Sequence, residues 1–62
     1  MLIWLINLRR AANKSQKDIA IAAQISQASY CNIENGRRKP AVKTAQAIAS
    51  ALGFDWTKFF ET

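Results

Sequence analysis

An all-α fold is what this sequence predicts, and three observations predict it. Apolar residues recur three and four positions apart through most of the 62 residues, the spacing that lines one face of a helix. Ser15, Ser26 and Asp55 each stand just ahead of such a segment, where a short polar side chain caps a helix. Gly (two) and Pro (one) are scarce, and they fall between the periodic segments rather than inside them. Half the residues are apolar, which favours a packed domain over a disordered chain. The length allows one domain, residues 1–62. A chain this short buries only about 60% of its unfolded surface, so its stability margin is thin.

Each element follows in order. The first helix is expected from about residue 2 to 12, with Trp4, Leu5, Leu8 and Ala12 on one stripe. Ile3 and Ile6 make it apolar nearly all round. Either they form a dimer surface with Phe54, Trp56 or Phe60, or the last helix folds back and covers them. Asn13 and Lys14 loosen the chain. Ser15 then caps a second helix, 16–23, and Asp18 three residues on completes a capping box, with Asp in the usual Glu place. Ile19, Ala20 and Ala23 face inward, and Gln24 with Ile25 makes a turn. Ser26 caps a third helix, about 27–35, held by Tyr30 and Ile33, and Asn35-Gly36 stops it. A basic loop, Arg37-Arg38-Lys39-Pro40, leads to a fourth helix over about 41–52. Its stripe is Val42, Ala45, Ile48, Ala49 and Leu52, and Gly53 ends it. Asp55 caps a last short helix that holds Trp56, Phe59 and Phe60.

Charge and cysteine usage narrow the function classes. Nine basic residues against four acidic give a net charge of +5. The surplus lies in residues 1–53, which hold eight basic and two acidic side chains, while the last nine residues hold one basic and two acidic. A basic body suits a polyanionic partner. One Cys and no His exclude an internal disulfide and a Cys/His zinc site, so no metal or cofactor is expected, and the chain fits a reducing, cytoplasmic compartment. The apolar start, MLIWLINL, is too short to span a bilayer and lacks the flanks of a secretory signal. No membrane partner and no small-molecule ligand is apparent.

The chemistry concentrates in residues 15–36, SQKDIAIAAQISQASYCNIENG. Two short capped helices joined by a tight turn are the layout of a helix-turn-helix, which lays its second helix in the DNA major groove. Ile19, Ala23, Ile25, Tyr30 and Ile33 would pin the crossing, and Ala20 sits where the helices approach most closely. Gln27, Ala28, Ser29, Cys31 and Asn32 remain outside, short or amide side chains without negative charge. Gln and Asn can each bond an adenine edge in bidentate fashion. A helical hairpin with a polar outer face would share the spacing.

From Leu8 to Phe60 the chain resembles the Cro/C1-type (xenobiotic-response-element-like) helix-turn-helix domains of bacterial and phage regulators. The matching stretches are LRR (8–10), SQKDIA (15–20), IS (25–26), IENGRRKP (33–40), AIASALG (47–53) and WTKFF (56–60). The resemblance implies a compact five-helix, lambda-repressor-like domain that binds double-stranded DNA as a homodimer. It also implies residue roles. Gln27, Ala28 and Asn32 fall where the family reads bases. Gln16 falls where it bonds a phosphate, and Arg37, Arg38 and Lys39 lie in the loop that meets the backbone. Ser29 and Cys31 flank the reading face. Arg9 and Glu34 match a pair that joins the first and third helices as a structural salt bridge. Two positions depart from the pattern: Gln24 replaces the usual turn Gly, and Ala28 replaces a polar or basic reader.

These readings favour a sequence-specific transcriptional regulator, a repressor on a near-palindromic operator. The competing class is a protein-interaction module of the antitoxin or anti-repressor kind, which the apolar ends would serve. An enzyme is not expected: there is no His, no Gly-rich phosphate loop and no carboxylate cluster.

Overall fold

The computed structural model describes residues 1–61; Thr62, inside the expected domain, lies outside the described residues. Four α-helices follow in order: α1 (Ile3–Ala11), α2 (Gln16–Ala23), α3 (Gln27–Glu34) and α4 (Val42–Leu52). The fifth element, Trp56–Phe60, is a 3-10 helix rather than an α-helix, and its five residues suit that tighter form, which is used in short pieces. Among the described residues there are no strands, so the fold is all-α.

Local chemistry sets the boundaries. The Ser15 Oγ accepts from the Asp18 amide at 3.0 Å, and an Asp18 carboxylate oxygen accepts from the Ser15 amide at 2.9 Å. This is the reciprocal capping box, and it satisfies two amides that the helix start leaves free. Those bonds hold the exposed Asp18 carboxyl below its usual range, with neighbouring Lys14 and Lys17 acting the same way. Ser26 caps α3 through the Ser29 amide at 3.0 Å, and Asp55 accepts from the Thr57 amide at 3.0 Å. At the other ends, α2 and α4 close alike. Ile25 donates back to the Ala20 carbonyl and Phe54 to the Ala49 carbonyl, the six-to-one bond of a left-handed cap.

The left-handed residue in the α4 cap is Gly53, at φ 75°. In α2 it is Gln24, at φ 58° and ψ 41°. A side chain there costs about 1–2 kcal/mol. Gln24→Gly is therefore expected to stabilise the domain by about 1 kcal/mol and raise Tm by roughly 4–8 °C. A thermal melt followed by circular dichroism checks this; an unchanged or lower Tm would contradict the strain.

Between the helices lies a core of Leu5, Ile19, Ala20, Ala23, Tyr30, Ile33, Ala45, Ile48 and Phe59. Its alanines let α2 approach α3 and α4 closely. Two residues read as inward are exposed. Ala12 follows the last residue of α1, and Val42 opens α4 and is 51% exposed. Helical spacing predicts a face only where the helix continues on both sides.

The C-terminal 3-10 helix folds back onto α1. Trp4 meets the Phe54 and Phe59 rings edge-on, each with centroids 5.2 Å apart, and the Lys58 ammonium lies 5.2 Å from the Trp4 ring centroid. Trp4 is thus covered from within the chain, Ile6 is half-buried and Ile3 stays 56% exposed.

Candidate nucleic-acid interface

Helix α3 has two faces of opposite character. Successive residues turn by about 100° around a helix. Tyr30, Ile33 and Glu34 point into the protein and are buried. The opposite side carries Gln27 and Ala28, both exposed, with Cys31 and Asn32 half-buried. The expected readers Gln27, Ala28 and Asn32 therefore lie on one surface. Cys31 flanks it, and its Sγ is 3.5 Å from the Asn35 amide nitrogen. Ser29 stands at the other edge. It is half-buried, its Oγ accepts from the Ser26 hydroxyl at 2.9 Å, and it lines a crevice of about 100 Å³ with Ile25, Ile33 and Pro40.

The basic loop follows directly. Gly36 has φ 77°, and a Cβ there would come within 3.3 Å of the Met1 amino nitrogen, so this turn suits Gly on both counts. The Arg37 and Arg38 amides donate to the Asn32 carbonyl at 3.0 and 3.3 Å. Those bonds tie the loop backbone to the end of α3 while the side chains of Arg37, Arg38 and Lys39 remain exposed. The Lys39 ammonium lies 5.8 Å from the Phe60 ring centroid.

Behind the outer face sits the charged cluster. Arg9 donates from Nε to Glu34 Oε2 at 2.6 Å and from Nη2 to Oε1 at 3.4 Å. It also donates from Nη1 to the Lys14 carbonyl at 3.0 Å. The Arg9–Glu34 pairing expected between the first and third helices is present, with side chains 13% and 2% exposed. Gln16 was expected at a phosphate. It is half-buried, and its Nε2 donates to Glu34 Oε1 at 2.9 Å.

Burial pushes the Glu34 carboxyl up, but the hydrogen bonds from Arg9 and then Gln16 outweigh it and leave it below the usual value. The same bond raises the Arg9 guanidinium further. Burial drives the Tyr30 phenol well above its ordinary value, and the adjacent Glu34 carboxylate adds to the shift. Among the described residues the Tyr30 hydroxyl has no partner at hydrogen-bond geometry. The single carboxylate of α3 is thus buried and neutralised. The outward face is left with amides, a methyl, a thiol and the neighbouring cations.

Sequence reasoning missed the Gln16–Glu34 bond. The two residues are 18 positions apart, and nothing in the residue types signals that contact. Among the described residues no group of His, Cys, Asp and Glu could hold a metal ion, and no helix is long and apolar enough to cross a membrane.

Comparison with known proteins bears on this arrangement. YqaF of Bacillus subtilis (strain 168), named an uncharacterized HTH-type transcriptional regulator, is 50% identical over 58 residues, or 94% of this chain and 76% of that protein. The HTH-type transcriptional regulator DdrOP3 of Deinococcus deserti (strain DSM 17065 / CIP 109153 / LMG 22923 / VCD115) is 44% identical over 46 residues. That match covers 74% of this chain but only 36% of DdrOP3. No solved structure gives a significant match. Residues 5–59, which run from the core residue Leu5 to the core residue Phe59, match the Helix-turn-helix family. The capped α2–turn–α3 unit, its inward Glu34 and this match across nearly the whole chain identify it as belonging to the Cro/C1-type helix-turn-helix family.

Proposed function

We propose that this protein is a sequence-specific DNA-binding transcriptional regulator, a repressor that acts as a homodimer on a near-palindromic operator. The observation that carries the reading is the outer face of α3. It presents Gln27, Ala28 and Asn32 together, keeps Glu34 inside, and is followed at once by exposed Arg37, Arg38 and Lys39. Such a face approaches base edges without repelling phosphates. In this reading Gln27 and Asn32 bond bases, and Ala28 offers a methyl contact. Ser29 and Cys31 touch the flanks, while Gln16 and the basic loop meet the backbone.

Few readers per subunit argue for two subunits. One good bidentate contact discriminates by about 1–3 kcal/mol, so two amides supply about 2–6 kcal/mol and reach only the lower part of the roughly 4–10 kcal/mol that separates specific from non-specific binding. Two copies on half-sites one helical turn apart double the readout.

Selection of bound DNA from a random library tests this. A palindromic consensus is expected, and its placement over a reporter promoter should lower transcription. Failure to enrich any sequence, with stable capture of another protein instead, would favour an interaction module. Within the enriched site, Gln27→Ala is expected to relax preference at one or two positions by about 1–3 kcal/mol, measured by titrating single-base variants.

A further inference from the structure

We infer that Glu34 is a positioning residue for DNA binding, holding the Gln16 amide ready for a backbone phosphate while Arg9 cancels its charge. The inference rests on the DNA-binding reading above and adds a role that the salt bridge alone does not require.

An ionised carboxylate accepts hydrogen bonds and donates none. Glu34 has no proton to give when ionised, so the Gln16 amide must face it with nitrogen, not oxygen. The 2.9 Å bond from Gln16 Nε2 to Glu34 Oε1 therefore fixes which way round the amide sits. A Gln amide carries two N–H groups. One is engaged by Glu34, and the other meets no partner among the described residues, which leaves it for an anion. Gln16 is the first residue of α2 and is half-buried, so its stem is held while the chain's surface is within reach.

A bare carboxylate beside a phosphate contact would repel the DNA. Here the two Arg9 bonds at 2.6 and 3.4 Å offset that charge. Arg9 is itself anchored by the Lys14 carbonyl, one residue before the Ser15 cap. The cluster thus joins the end of the α1–α2 connection, the start of α2 and the end of α3 in one chain of bonds. A side chain already ordered loses less freedom on binding than a free one, and the preorganisation appears as affinity.

A double-mutant cycle on binding to the selected operator tests this, at a temperature where circular dichroism shows every variant folded. Gln16→Ala is expected to weaken binding about tenfold, as loss of one charge-assisted bond would. Glu34→Gln should weaken it several-fold in the parent and leave it nearly unchanged in the Gln16→Ala background. Equal effects of Glu34→Gln in both backgrounds would overturn the inference, because a merely structural role acts whether or not Gln16 is present. No effect of Gln16→Ala would overturn it too, while operator selection by the parent still upheld the DNA-binding reading.

Nuclear magnetic resonance of the unmutated protein supplies a second readout that does not depend on variants folding. The two Gln16 side-chain amide protons should be resolved, with one protected from exchange before DNA is added, and the other should shift on titration with operator. A pair that exchanges like those of exposed Gln27 would refute the positioning role.

Discussion

Arg9→Ala is expected to lower stability by roughly 3 kcal/mol and Tm by at least about 10 °C. The size follows from what stays behind. Glu34 is 1% exposed as a residue, and without the guanidinium it keeps one amide donor, Gln16. An uncompensated buried carboxylate typically costs about 3–5 kcal/mol. The lower end applies because Arg9 is 13% exposed and Gln16 remains. For 62 residues the whole folding free energy is only about 3–9 kcal/mol, so the variant would lose between about a third and all of it. A thermal or urea melt checks it, and an unchanged midpoint would show that the pair contributes nothing.

The pH dependence carries a sign of its own. In the parent, the Glu34 carboxyl is held below its ordinary value of 4.5. A depressed acid contributes stability that is present above the unfolded value and is lost as pH falls through the folded one. In Arg9→Ala the burial that raises this carboxyl is opposed only weakly, so the variant should gain stability as pH falls and protonation removes the buried charge. The two stability curves should therefore diverge near pH 7 and converge in acid. Asp18 and Asp55 are also depressed, but they titrate alike in both proteins and drop out of the comparison.

Much of the fold was legible because it is written locally. Ser15 with Asp18, Ser26, Asp55 and Gly53 mark ends within a turn of themselves, and every one of those caps is present. Arg9–Glu34 spans 25 positions and was legible only through the family resemblance. Gln16–Glu34 and the Trp4–Phe59 contact depend on how α1, α2 and the C-terminal helix come together, which residue types do not encode pairwise. The outer face of α3 was legible as a pattern: once Tyr30 and Ile33 were placed inside, Gln27, Ala28 and Asn32 had to lie outside. Burial of Glu34 on the inner edge of α3 could be anticipated only because a partner cation was available on α1.

The largest functional effect is expected from the basic loop. Arg37 and Arg38 are exposed and make no ion pair among the described residues, so their charges are available to DNA. Each phosphate neutralised adds about 0.9 to the slope of log affinity against log salt. Arg37→Ala with Arg38→Ala should therefore flatten the slope by about 1.8. Between 50 and 200 mM salt the parent should lose about twelvefold more affinity than this double variant. The deficit of the variant should be nearly the same on operator and on unrelated DNA, since phosphate contacts carry no sequence information. Gln27→Ala is the opposite case, losing discrimination while keeping the slope. The fold should survive the double change because the loop is tied through the Arg37 and Arg38 backbone amides to the Asn32 carbonyl, and Ala keeps both amides. Fluorescence titrations of both variants on both DNAs across the salt range separate the roles. If the loop variant lost discrimination and kept its slope, Arg37 and Arg38 would be base readers instead, and the division of labour between α3 and its following loop would be reversed.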